Sequence, residues 1–174
     1  KKILDVACGG GLLAEALFSE GAKVSGVDIS DVAIHTAKNH AKKGNIDISY
    51  ILGEAENLLP ENSEEFDVVT CLEAIEHVPD PNQLVKTCSD LCKKNGDIFF
   101  STINRNPKSF LFAIVGAEYI LNLLPKGTHE YQKFIKPSEL IFMMENNGLK
   151  IQELTGMSYN PITKNYWLGK NVEV

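Results

Sequence analysis

A strand that runs straight into consecutive glycines and then a helix constrains this chain more than any other feature. Lys2 to Ala7 is a buried-type strand, Gly9, Gly10 and Gly11 follow, and Leu12 to Glu20 reads as a helix stopped by Gly21. Small residues let the backbone turn tightly and approach a ligand, and the helix points its first amide N–H groups at whatever sits there. The alternation continues. Lys23 to Val27 is a second strand; Ser30 caps a helix from Asp31 to about Lys43, which Gly44 ends. Ile46 to Leu52 is a third strand and Phe66 to Leu72 a fourth, centred on Val68 and Val69. Pro79 and Pro81 bracket the start of a helix that reaches about Lys94, Asn95-Gly96 reads as a turn, and Asp97 to Thr102 is a fifth strand. Strand–helix alternation of this kind predicts an α/β fold, a doubly wound and mostly parallel sheet. Ligands of such sheets bind beyond the carboxyl ends of the strands. The loops after Val6, Val27, Leu52 and Leu72 are therefore where chemistry is expected.

The last third is different. Ser109 to Leu124 is apolar almost all round, and it is shorter than the ~20 residues needed to span a bilayer. Pro137 opens a helix to about Asn147, ended by Gly148; Leu149 to Thr155 and Tyr166 to Leu168 read as strands, the last of them antiparallel. With 174 residues and no convincing boundary, the expectation is one domain over 1–174 with an apolar insertion at about 108–130. The net charge of -6 argues against a general nucleic-acid binder, which needs a concentrated basic surface. Cys8, Cys71, Cys88 and Cys92 form no CxxC pair and read as reduced, mostly buried thiols. No secretory signal is visible. The chain opens on Lys1-Lys2 and enters a strand at once, so it reads as a fragment or the ordered part of a longer protein.

The loop's spacing narrows its ligand. A dinucleotide fingerprint needs small residues at the first, third and sixth positions, and counting from Ala7 the sixth is Leu12. The stretch Asp5-x-Ala7-x-Gly9-x-Gly11 instead resembles the class I S-adenosylmethionine methyltransferase motif, an acidic residue followed by Gly-x-Gly-x-Gly, on a Rossmann-like sheet. Ala7 stands where the first glycine is usual. The plain alternative is a strand-to-helix turn with no ligand. Asp28, followed by Ile29, ends the second strand, where a carboxylate can accept hydrogen bonds from both ribose hydroxyls; the plain alternative is a helix N-terminal acid, a role Ser30 and Asp31 already fill. In the class resembled, Asp28 is the ribose ligand, and Gly53-Glu54-Ala55-Glu56 lies where adenine is contacted.

Later segments carry a closer resemblance. Thr70-Cys71-Leu72-Glu73-Ala74-Ile75-Glu76-His77-Val78-Pro79-Asp80-Pro81, Phe99 to Asn106, Gly116-Ala117-Glu118-Tyr119, Leu124 to His129, Phe134-Ile135-Lys136-Pro137 and Tyr159 to Thr163 are similar to the ubiquinone biosynthesis O-methyltransferase family. The resemblance implies methylation of a hydroxyl on a polyprenylated catechol or phenol, with S-adenosylmethionine as donor. It implies cofactor contacts at Asp5, Ala7, Gly9, Gly11, Asp28, Ile29, Ala55, Cys71 and Leu72, the last being Met in most of the family. Relative to that family an N-terminal helical region, which supplies an Arg to the cofactor site, is absent. The resemblance also implies metal assistance, with Glu73, Glu76 and His77 as ligands of Mg²⁺ or a similar ion. Oxygen ligands suit Mg²⁺ and a His is less typical of it.

Other roles stay open. A phenol with a pKa near ~10 is mostly neutral at pH 7, so a base or a metal must assist. His77 is the base in a metal-free reading, and His129 is a second candidate; alternatively Glu73 and Glu76 are solvated acids and His77 only packs. Ser109 to Leu124 is a core helix, a lid, or a surface that dips into a membrane interface flanked by Lys108 and Lys126. A polyprenyl substrate favours membrane contact, and with it a cytoplasmic location peripheral to the inner membrane, or the mitochondrial matrix side in a eukaryote. The competing functions are a non-catalytic cofactor-binding scaffold in a quinone-biosynthesis complex, and an NAD(P)-dependent oxidoreductase, which Leu12 disfavours.

Overall fold

The computed structural model describes residues 1–105, 131–160, 163 and 165–172. They fall into two compact units, Lys1–Ser101 and Thr102–Val174, which are taken separately below.

The first unit is built on a five-stranded parallel sheet, β1 (Lys2–Val6), β2 (Lys23–Asp28), β3 (Ser49–Leu52), β4 (Phe66–Leu72) and β5 (Cys92–Ser101), in the order β3-β2-β1-β4-β5. The chain winds outward from β1 to β3 and then crosses back to β4. Strand order thus reverses between β1 and β4, the point at which sheets of this kind bind their ligands. Alternate residues feed two cores. On one face Ile3, Val24 and Val68 pack with Ala14 of α1 (Leu12–Ser19) and Ile34, Ala37 and Ala41 of α2 (Asp31–Gly44). On the other, Leu4, Val27, Val69 and Cys71 pack with Leu58, near the short α3 (Leu59–Asn62), and with Leu84, Cys88 and Leu91 of α4 (Pro81–Leu91). Burial on both faces explains why these strands read as continuous apolar runs rather than as alternating ones.

Helix starts are set by local chemistry. Ser30 accepts from the Ala33 N–H at 3.3 Å to cap α2, and Asp80 accepts from the Gln83 N–H at 3.0 Å to cap α4, with Pro81 in the first turn. Two expectations are corrected here. The fourth helix ends at Leu91 instead of near Lys94, and Asn95-Gly96 does not separate elements. Asn95 does take a positive φ of 66°, as turn chemistry suggests. The strand pairs with β4 on either side of it, however, Phe66 opposite Cys92 and Val68 opposite Asp97, so the irregularity is a bulge within β5.

In the second unit α5 (Pro137–Asn146) starts at the expected proline. Glu139 accepts from the Lys136 N–H at 2.9 Å and pairs with Arg105. The antiparallel C-terminal strand is present, as β7 (Asn165–Gly169), paired with β6 (Gly156–Asn160) in a two-stranded sheet of its own. The run Leu149 to Thr155 is not a strand; pairing begins only at Gly156. The apolar segment 109–124 and His129 lie outside the described residues. No helix among the described residues is long and apolar enough to cross a membrane.

Candidate active site

Parallel pairing brings four loops to one edge of the sheet. Val6 lies opposite both Val27 and Cys71, Asp28 opposite Leu52, and Leu72 opposite Ser101. The strand ends and the loops that follow them carry the cofactor-site candidates and Glu73, Glu76 and His77.

The glycine loop is held from beneath. The Cys8 N–H donates to the Val27 carbonyl at 3.1 Å, and the Gly9 N–H donates to Asp28 Oδ2 at 2.9 Å. Asp28 also accepts from the Ser30 N–H through Oδ1, at 2.8 Å. Its carboxylate therefore locks the first loop to the second. Gly11 has φ +85°, and a Cβ there would collide with the Tyr50 hydroxyl; a Cβ on Gly26 would come within 2.8 Å of Cys8 Sγ. Backbone thus fills the space that side chains would take, and the loop's outer surface stays open to a ligand. Ala7 has φ +57° and is exposed, a conformation that suits glycine and costs alanine energy.

Asp5 sits at the end of β1, 3% exposed, and accepts a 2.7 Å hydrogen bond from the hydroxyl of Thr70, which is 6% exposed. Burial, opposed by that hydrogen bond and reinforced by nearby Asp28, raises the Asp5 pKa from 3.8 to about 6. The Cys8 thiol and the Tyr50 phenol are pushed up to about 12, mainly by burial, and stay neutral. Two carboxylates beside neutral partners favour a cationic ligand.

Ile29 is exposed beside Asp28, and Ala55 is buried at the start of a 3₁₀ turn, Ala55–Leu58. Leu72 is partly exposed at the edge. Cys71 is fully buried in the core, so any cofactor contact there runs through its backbone.

The chain past β4 does not form the metal site the resemblance implies. Glu73 has φ +52° and is turned to β5: its N–H donates to the Ser101 carbonyl at 3.1 Å, and the Ser101 hydroxyl donates to its carboxylate at 2.6 Å. Glu76 is 2% exposed, while His77 is exposed on the 3₁₀ turn Ile75–His77. Glu73 thus pairs with Ser101, and Glu76 is buried where His77 is exposed. Among the described residues no cluster of three or more His, Cys, Asp or Glu is arranged to hold a metal ion. The implied Mg²⁺ therefore gains no support from the described residues.

Thr70, Tyr50, Gly26 and Ser101 were not singled out from the sequence. The signal at Thr70 was present, a polar side chain in the apolar run Val68 to Leu72.

A sheet of this order, with a glycine loop after the first strand and a carboxylate at the end of the second, defines a class I S-adenosylmethionine-dependent methyltransferase. A family model described as a methyltransferase domain matches residues 4–100. The chain aligns over its full length with ubiquinone biosynthesis O-methyltransferases: 55% identity to that of Saccharophagus degradans, covering 74% of the relative, and 54% to that of Nitrosospira multiformis, covering 73%. It belongs to the ubiquinone biosynthesis O-methyltransferase family. Among solved structures, a SAM-dependent methyltransferase from Methanosarcina mazei superposes with a TM-score of 0.73 at 21% identity, over 96% of this chain and 88% of that one. The YcgJ protein of Bacillus subtilis gives a TM-score of 0.67 at 24% identity, over 91% and 67%. These two speak to the fold alone. The family match overrides the oxidoreductase and non-catalytic scaffold readings.

Proposed function

We propose that this chain methylates a hydroxyl of a polyprenylated catechol or phenol in ubiquinone biosynthesis. When bound, S-adenosylmethionine supplies a methyl group activated by its positive sulfur. The observation that carries the reading is the convergence, on one sheet edge, of the Gly9–Gly11 loop, Asp28 and the β4 loop.

Asp28 accepts from the ribose hydroxyls, and Ile29 and Ala55 flank the adenine. Asp5, Ala7, Gly9 and Gly11 line the remaining part of the cofactor, and Cys71 and Leu72 meet it where the fourth loop begins. His77, exposed beyond β4, takes the phenolic proton as the methyl transfers, which makes the oxygen a competent nucleophile. Glu73, fixed by Ser101, buttresses the turn that presents His77. Buried Glu76 anchors the same turn from within. A polyprenyl tail resides in a bilayer, and we place the enzyme at a membrane surface, with segment 109–124 making the contact.

The test is methyl transfer to a short-tail catechol, with and without EDTA. His77→Ala is expected to lower kcat by about 10²-fold or more, with EDTA changing little. Activity that EDTA abolishes, and that added Mg²⁺ restores, would replace the histidine mechanism with a metal-assisted one. For the membrane contact, undiminished liposome flotation of a Phe110→Glu/Phe112→Glu variant would refute it.

A further inference from the structure

We infer that Thr70 is a positioning residue of the cofactor site: its hydroxyl holds the Asp5 carboxylate ionised beneath the glycine loop, so that a cationic cofactor meets a negative charge there. The inference rests on the cofactor site proposed above and deepens it.

The geometry allows two hydrogen-bonded states. Thr70 Oγ1 lies 2.7 Å from Asp5 Oδ1 and 3.4 Å from the Leu4 carbonyl oxygen. A hydroxyl has one hydrogen to give. When Asp5 is ionised, the hydroxyl donates to Oδ1. When Asp5 carries a proton, the acid donates to Oγ1 and the hydroxyl hydrogen turns to Leu4. No atom need move far, and the proton is the only thing gained or lost. Thr70 therefore suits both states, but its short contact favours the ionised one.

Among the described residues, the groups facing Asp5 leave that charge uncompensated. Asp28 on β2 repels it, and Cys8 in the loop and Tyr50 on β3 remain neutral. Thr70 on β4 is the group that lowers its proton affinity. A cofactor bearing a sulfonium and an ammonium provides the missing positive charge. Its binding pulls the equilibrium to the ionised state and releases a proton when the pH is near or below the Asp5 midpoint. A neutral hydrogen-bonding role for Thr70 would not couple binding to protons in this way.

Calorimetric titration of S-adenosylmethionine into wild type, Thr70→Val, Thr70→Ser and Asp28→Ala between pH 5 and 7.5 tests this, in buffers of differing ionisation enthalpy. Wild-type affinity should rise as pH passes about 6, with proton release. Losing one charge-assisted hydrogen bond should move that midpoint up by about one unit in Thr70→Val. Binding would then be about fivefold weaker than wild type at pH 6 and within about twofold at pH 7.5, while Thr70→Ser tracks the wild type. A carbon-detected NMR titration of Asp5 without cofactor should show the same upward shift, and it needs only a folded chain. Pairing an unmoved Asp5 midpoint in Thr70→Val with normal cofactor binding would overturn the role of Thr70 and leave the site intact. Wild-type affinity unaltered in Asp28→Ala would overturn the site itself, and this inference with it.

Discussion

Residue by residue, the site carries two local costs that the fold tolerates. Ala7 is the first. Its left-handed backbone is disfavoured for any residue with a Cβ, and its methyl is exposed, so no packing is lost by removing it. Ala7→Gly should raise stability by about 0.5–1 kcal/mol, seen as a higher urea midpoint at unchanged slope. Asp5 is the second. Its folded pKa is raised, to about 6 from 3.8, so the folded state binds more protons than the unfolded state between those values. Stability contributed by the protonated form is present below about pH 4 and is lost as pH rises through about 6. Asp5→Asn keeps an acceptor for Thr70 and removes the titration. The variant should match the wild type near pH 4 and exceed it by up to about 3 kcal/mol at pH 7.5, by denaturant titration at both values. An Asp5→Asn protein that is less stable than wild type at pH 7.5 would show that burial is not what sets this group's proton affinity.

Among the elements, what the sequence discloses depends on whether local chemistry or distant pairing decides. β4 is legible to the residue because Val68 and Val69 at its centre, with Phe66 and Cys71, are apolar, and acidic Glu64, Glu65 and Glu73 lie just beyond its ends. The α2 start is legible because Ser30 caps by a contact three residues away, and the α4 start because Pro79 and Pro81 bracket it, the Asp80 cap emerging only in the structure. Leu149 to Thr155 misleads because its apolar residues find no partner strand, while Gly156–Asn160, with Gly, Ser and Asn, becomes a strand through its antiparallel partner. The partner of Glu73 is illegible for a related reason. Glu73, Glu76 and His77 are neighbours in sequence, but the hydroxyl that turns Glu73 away belongs to Ser101 on another strand. The α4 cap gives this scale its own prediction. Asp80→Ala leaves the Gln83 N–H without its side-chain acceptor and removes a negative charge at a helix N-terminus, so it should cost about 1 kcal/mol. Because α4 packs Leu84, Cys88 and Leu91 onto the sheet, amide exchange should quicken first along that helix.

For the whole molecule, the distribution of the site matters more than any single contact. Each cofactor-site candidate lies within Lys1–Ser101, on the ends of different strands of one sheet or on the segments that follow them. Those strands are far apart in sequence, and only the folded sheet assembles the site. A ligand that bridges the loops therefore binds the folded state and not the unfolded one, and its binding energy adds to stability. S-adenosylhomocysteine at about 100 times its Kd should contribute about 2.7 kcal/mol, raising Tm by about 5–10 °C for a chain of this size. Asp28 accepts from both the Gly9 and Ser30 N–H groups, so Asp28→Ala loosens the junction of two of the loops as well as deleting the ribose acceptor. The variant should therefore lose most of the ligand-induced rise in differential scanning calorimetry. A rise equal to the wild type's would mean that the ligand binds somewhere other than this edge of the sheet.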